Sequence, residues 1–318
     1  MKKKADLHIH TTGKKGKELE DFLMQALEKA DKEGLEAVSM FDRNDVSMYL
    51  PGGELRKIAK SGKIEKIASK TKVVPGTEMS STITDAPHYN KYTSHIGLYG
   101  FDAEKISDED MLNSIAKDKN RQQDAENLWR MLVNFGLRDL PMLDYEKDLA
   151  EQIFNYIERK AGTRTDKLSE FLFRSYPSKS LLSRSFLENP NSPIFYARTE
   201  RPTVKKVLEV GKENGSLRTI MHPAHMNDEF KTKTYIDAIM GISTKYGKSQ
   251  IDAIEAEYFK NTAEETREIE KYAEKHNLKT TGGSDSDPRF GYNKRKDGKS
   301  FEMDEKTIKD LPDIRDLI

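Results

Sequence analysis

Apolar and polar positions alternate near the start of the chain. Over residues 5–11, Leu7 and Ile9 would face one side of a strand, His8 and His10 the other. The period then lengthens. Leu19, Phe22, Leu23, Ala26, Leu27 and Ala30 recur at the spacing of one apolar helical stripe, and Gly34 is placed to stop it. Short apolar runs at 35–41, 72–74 and 95–101 read as strands. From about 102 to 201 the signals are mainly helical, carried by Leu128, Met131, Leu132 and Phe135, then by Leu149, Ile153, Phe154 and Ile157. After Pro202 the alternation returns. It predicts a helix over 204–213 ended by Gly215, and strands over 217–221 and 251–258. A helix follows from a Thr262/Glu265 capping box to about His276, and then a last strand over 278–281. The remaining segment is polar and shows no clear period.

Alternating β and α elements imply a parallel sheet or barrel. The unusual polar residues fall where strands should end: His8, His10, Asp42, Glu78, His222 and Asp285. In a (β/α) barrel that is the face on which chemistry is built. The helical stretch is an insertion, so the expected organisation is barrel over 1–104, helical cap over 105–201, and barrel again over 202–318.

Composition narrows the function classes. The 54 Lys and Arg are balanced by 54 Asp and Glu, which argues against a bulk electrostatic grip on nucleic acid. The absence of cysteine excludes disulfides, thiolate metal sites and a Cys nucleophile, and fits a reducing compartment. The basic opening is not followed by an apolar run, and nothing approaches the ~18 apolar residues of a membrane span. The expectation is a cytoplasmic protein with no membrane partner.

His8-x-His10 is the sharpest local feature: two imidazoles two apart on a strand point to one side, a ready bidentate metal grip. Such a pair also occurs in cores and on surfaces, and Asp6 just before it strengthens the metal reading. Asp6-Leu7-His8-Ile9-His10-Thr11-Thr12 resembles the opening motif of the polymerase and histidinol phosphatase (PHP) family. The resemblance continues in order. Val74-Pro75-Gly76-Thr77-Glu78 is similar to its glycine-x-glutamate motif, and His95-Ile96-Gly97-Leu98-Tyr99-Gly100 to its next histidine strand. Met221-His222-Pro223 resembles its Ala-His-Pro motif, and Gly282-Gly283-Ser284-Asp285 its Gly-Ser-Asp-x-His motif.

The resemblance implies an α/β fold, a distorted (β/α)7 barrel of PHP type with a mainly helical insertion. It also implies divalent ions that activate water against a phosphoester. His8, His10, Glu78 and Asp285 would bind one ion; Glu78 would bridge to a second, held also by His95 and His222. Independently of the family, imidazole and carboxylate ligands suit Mn, Zn or Fe. Two such ions can hold both the attacking and the leaving oxygen.

Three positions depart from the family pattern together. Lys15 stands near the place of an Asp, Arg43 in Phe41-Asp42-Arg43 replaces a His, and Asp287 replaces another His. In the family these positions feed a third metal. Two are now cations, which repel a divalent ion, so two metals are expected rather than three. Lys15 and Arg43 are expected to fill that volume and bind a substrate phosphate or carboxylate, with Asp287 as partner of Arg43.

His225, three past His222, is a candidate substrate contact and equally a solvated loop histidine. The insertion, opening on Asn120-Arg121-Gln122-Gln123, is similar to the helical domain of PHP nucleoside-phosphate phosphatases and 5′-3′ exoribonucleases. That implies a nucleotide, nucleoside phosphate or short oligonucleotide end as substrate, with Arg121 reaching a phosphate; an ordinary exposed arginine is the bland alternative. His88 and His276 read as solvated side chains. No phosphate-binding P-loop and no Gly-x-Ser-x-Gly elbow is present.

The leading expectation is therefore a metal-dependent phosphatase or phosphodiesterase in which a hydroxide held by two ions attacks phosphorus. The alternatives are a catalytically relaxed PHP-like binding or regulatory domain, and hydrolysis of a non-phosphate substrate on the same metals.

Overall fold

A computed structural model describes residues 2–11, 14, 16–41, 43, 45–50, 52–83, 93–102, 117–145, 147–163, 166–187, 192, 202–226, 232–248, 250–286 and 300–317. The chain divides into two compact units, Met1–Ile115 with Arg201–Ile318, and Ala116–Glu200.

The strands of the first unit are Lys2–His10 (β1), Ala37–Phe41 (β2), Lys72–Val73 (β3), Gly76–Thr82 (β4), Thr93–Tyr99 (β5) and Leu217–Ile220 (β6). They continue with Ser243–Thr244 (β7), Gly247–Lys248 (β8), Ala253–Tyr258 (β9), Lys279–Gly283 (β10) and Glu302–Asp304 (β11). One sheet has the order β11-β1-β2-β3 and a second the order β10-β9-β6-β5-β4; β7 and β8 form a separate hairpin. Neither large sheet closes on itself. Isolated bridges join them at two places, Ile9 to Ser286 and Arg43 to Glu78.

The α/β class matches the sequence pattern, but the sheets are mixed rather than parallel. β4 runs antiparallel to β5, β5 to β6, and β11 to β1. β4 is also a strand in its own right, where the sequence reading placed only the end of one. Glu78 accordingly sits inside β4, opposite Gly97, and not at a strand terminus. The polar run of β4 hides it: Thr77, Ser80 and Ser81 are buried despite their hydroxyls.

The helix Gly16–Glu33 buries Leu19, Leu23, Leu27 and Ala30, as its stripe predicts, and ends at Gly34 with φ +68°, a conformation that costs glycine least. Each fully buried leucine contributes roughly 1.5–3 kcal/mol. Val38, Met40, Ile96, Ile220 and Ile254 of the sheets share its core. A second cluster holds Ala5, Leu7, Phe41, Val74, Tyr99, Met221 and Met303. Leu7 and Ile9 thus join different clusters, against the simple alternation, because the β1–β2 register shifts between Asp6 and Ile9. Residues 300–317, from the segment without periodicity, form regular elements too. β11 pairs with β1, and Ile308 and Leu311 are buried beside it. Lys72 Nζ donates to the carbonyls of Ile308, Lys309 and Leu311 at 3.0–3.2 Å. Pieces of three to six residues are too short to display a period.

The second unit is helical: Lys117–Phe135, Leu149–Ala161, Lys167–Ser175 and Lys179–Leu182. Leu128, Leu132, Ile153, Ile157, Leu172 and Phe186 form its own core, and Trp129 Nε1 donates to the Leu140 carbonyl at 2.8 Å. Asp148 and Asp166 cap two of these helices by accepting from the Glu151 and Ser169 amides. Among the described residues no helix is long and apolar enough to cross a membrane.

Candidate metal centre

Five strands or their ends deliver six side chains to one place. β1 carries His8 and His10, β4 carries Glu78, β5 carries His95, and the turns after β6 and β10 carry His222 and Asp285. His8 Nε2 lies 3.1 Å from His10 Nε2 and 3.4 Å from Asp285 Oδ1, and His10 Nε2 lies 2.9 Å from that same oxygen. Glu78 is fully buried and stands between two sets of imidazoles. Its Oε2 is 3.1 Å from His10 Nε2 and 3.8 Å from His8 Nε2. Its Oε1 is 3.2 Å from His222 Nε2 and also contacts His95 Nδ1. Two overlapping triads, His8–Glu78–His222 and His8–His10–Asp285, each have their ligand atoms within 4.8 Å of one another. The donor set and its spacing suit a divalent metal ion.

The backbone is bent to bring this about. His222 has φ 29° and Asp285 φ 45°, a region sparsely allowed for residues with a Cβ. Such strain costs about 1–3 kcal/mol per residue and persists where the surroundings over-determine it. Gly283 lets β10 approach β1: a Cβ there would lie 2.1 Å from His8 Cβ and 2.9 Å from Glu255 Oε1. Asp6 Oδ1 ties the two strands, accepting from the amides of His8 at 3.1 Å and Ser284 at 3.0 Å.

The electrostatics follow from burial and crowding. Desolvation alone would lower the His8 pKa, but Glu255, Asp285 and Glu78 outweigh it and hold the ring up at about 9. Burial opposes the Glu78 charge, yet His95, Arg43, His10 and His222 hold its carboxyl well below the usual range. Asp285 is lowered too, against desolvation, by His8 and His10. His95 goes the other way: burial pushes it down to about 4, so it is neutral near pH 7.

The remaining candidates fall in different surroundings. Arg43 meets Glu78, its Nε donating to Oε2 at 2.8 Å, with about half of its side chain exposed. Its expected partner Asp287 lies outside the described residues, as do Lys15, Asp42 and His88. Arg121 lies within the helix Lys117–Phe135, its side chain outside the described set. His225 is exposed, with its ring 5.4 Å from that of Tyr258. His276 stacks on Tyr272 at the end of the helix Ala263–Lys275.

Two residues of the centre escaped sequence reasoning. Glu255 is 1% exposed, and its Oε1 accepts from His8 Nδ1 at 3.0 Å. Tyr258 donates from its hydroxyl to Asp285 Oδ2 at 2.7 Å. For Glu255 the available signal was an acid set among Ala253, Ile254 and Ala256 in a short strand, where an unpaired charge is costly.

No protein-family profile matches the chain, and no curated protein matches it. Solved structures do. A candidate metal-dependent phosphoesterase from Bifidobacterium adolescentis aligns with a TM-score of 0.56 at 17% identity, over 96% of this chain and 94% of that one. An amidohydrolase from Chromobacterium violaceum, solved with bound sulfate and no metal, aligns with a TM-score of 0.53 at 16% identity, over 99% and 95%. At these identities the likeness establishes a shared fold.

Proposed function

We propose that the chain is a metal-dependent phosphoester hydrolase of PHP type. The observation that carries this reading is the position of Glu78, whose two oxygens face two different groups of imidazoles. His8, His10 and Asp285 with Oε2 would hold one divalent ion; His95 and His222 with Oε1 would hold a second. When bound, Mn, Zn or Fe ions would make water a nucleophile at neutral pH and offset phosphoryl charge. Arg43 bears on Glu78 from the exposed side, and its cation leaves no favourable place for a third ion nearby. We assign its guanidinium and Lys15 to binding the substrate phosphate, with Asp287 as the partner of Arg43 and His225 as a substrate contact.

In this reading the two sheets form one distorted (β/α)7 barrel. The strands β1, β2, β4, β5, β6, β9 and β10 make the ring, and the Ile9–Ser286 and Arg43–Glu78 bridges are its seams. The substrate is a nucleotide, a nucleoside phosphate or an oligonucleotide end, handled in the cytoplasm. That assignment rests on the resemblance of the insertion, including Arg121, to nucleotide-handling PHP proteins. The relatives in fold, a candidate phosphoesterase and an amidohydrolase, are consistent with hydrolysis on metals.

The test is metal content and turnover on purified protein reloaded with Mn, Zn or Fe. About two ions per chain are expected. Phosphoester hydrolysis should be abolished by His10→Ala and Glu78→Gln, with nucleotides ahead of amides and lactones in a substrate panel. Less than about one ion per chain, or rates indifferent to those substitutions, would overturn the reading. The Arg43–Glu78 pair favours a second reading, a non-catalytic binding domain, since a cation already bonds one oxygen of the central carboxylate. Ligand binding without turnover would decide for it.

A further inference from the structure

We infer that Glu255 is a positioning residue of the metal centre, a single carboxylate that sets the ring orientation of His8 and the main chain of His222 together. The inference rests on the metal-dependent reading above. Glu255 lies inside β9, and the strand around it, from Ala253 to Tyr258, is buried on both faces. A carboxylate placed there needs partners for both oxygens. Oε1 accepts from His8 Nδ1 at 3.0 Å, and Oε2 accepts from the His222 amide at 2.7 Å. Both bonds use donors of the centre itself, and Glu255 belongs to neither triad able to hold an ion among the described residues.

The first bond decides which nitrogen of His8 is available. With Nδ1–H pointed at Oε1, the lone pair of Nε2 is directed toward His10, Asp285 and Glu78, the geometry a metal requires. A carboxylate behind a ligating histidine also raises its basicity. His8 is the one residue common to both triads, so its orientation bears on both. The second bond secures the turn at His222, whose φ of 29° is held against strain. That turn directs His222 Nε2 at Glu78 Oε1.

Glutamine is a discriminating substitute. It matches glutamate in shape but has one acceptor oxygen instead of two. In Glu255→Gln either His8 or the His222 amide must face an NH2 group. If it is His8, the tautomer reverses and Nε2 carries the proton. Aspartate keeps the charge but is one methylene shorter, so it cannot reach both donors.

The experiment measures zinc affinity by chelator competition on metal-stripped protein, together with 15N spectra of the histidines in the zinc-loaded state. Glu255→Gln is expected to weaken zinc by roughly 10–100-fold with the circular dichroism spectrum unchanged. The parent should show His8 with a protonated Nδ1 and a metal-shifted Nε2, and the variant should lose that signature where its NH2 faces His8. Should Glu255→Gln fail to fold, Glu255→Asp decides: a loss of about fivefold or more supports the inference, and affinity within about twofold of the parent overturns it. Zinc binding by Glu255→Gln within about twofold of the parent likewise overturns it. A parent that takes up no zinc sinks both this inference and the hydrolase reading. A parent that binds zinc but turns over no phosphoester sinks only the latter.

Discussion

Arg43 and Glu78 join the two sheets twice, through a backbone bridge and through the 2.8 Å bond from Nε to Oε2. The guanidinium stabilises the buried carboxylate and at the same time repels any cation placed on that oxygen. Removing it in Arg43→Ala should tighten Mn or Zn binding by roughly tenfold, equivalent to ~1.4 kcal/mol, and raise the KM of a phosphoester substrate. Arg43→Lys should leave metal affinity near that of the parent and still raise KM, because an ammonium lacks the planar fork. Chelator competition and steady-state kinetics check both. Weaker metal binding in Arg43→Ala would mean that the arginine serves to orient Glu78.

A proton and a bound ion would compete for His8. In metal-stripped protein the ring is held at about 9 against an ordinary 6.5, so its protonated form adds stability that is fully present below about 6.5. That stability is lost as pH rises through about 9. Glu78 and Asp285, both depressed, add stability above the ordinary carboxylate range that is lost as pH falls through their lowered values. The Tm of metal-stripped protein should therefore fall by several degrees between about pH 6.5 and about pH 9.5. Zinc-loaded protein should show a much smaller decline, since the ion takes the place of the proton. Scanning fluorimetry of the two forms checks this, and equal pH profiles would contradict it.

Gly283→Ala tests the close approach of β10 to β1. The added methyl would sit 2.1 Å from His8 Cβ, so the backbone must shift. A loss of ~1–3 kcal/mol is expected from overpacking, with zinc affinity falling as His8 and Glu255 separate. Thermal unfolding and chelator competition measure the two effects. A variant with parental stability and affinity would show that the strands have slack.

Thr262→Ala is the control for global stability. Thr262 accepts from the Glu265 amide while Glu265 returns the bond to the Thr262 amide, the capping box that the sequence predicts. Its loss should cost about 1 kcal/mol, visible in urea denaturation, and leave zinc content unchanged. A loss of zinc here would mean that metal retention merely reports overall stability.

The six imidazoles and carboxylates of the centre were legible because each is polar against an apolar strand or sits in a short motif with Gly or Pro. Glu255 was not: it has no fixed spacing to His8, 247 residues away, and only the fold reveals what its oxygens accept. β4 was missed because its buried hydroxyls look like a loop, and the antiparallel pairing of β4, β5 and β6 leaves no local mark. Arg43 was singled out from its departure from a family pattern, but its bond to Glu78 depends on a seam between sheets that no local periodicity encodes.

His8 belongs to the first strand and Asp285 follows the tenth, with the whole helical unit lying between them in the chain. On the ribosome, therefore, the histidine pair and Glu78 are made before the helical unit, and Asp285 after it. A chain truncated between residues 222 and 285 would keep the His8–Glu78–His222 triad and lack the His8–His10–Asp285 triad, so the two groups able to hold an ion are completed at different points of synthesis.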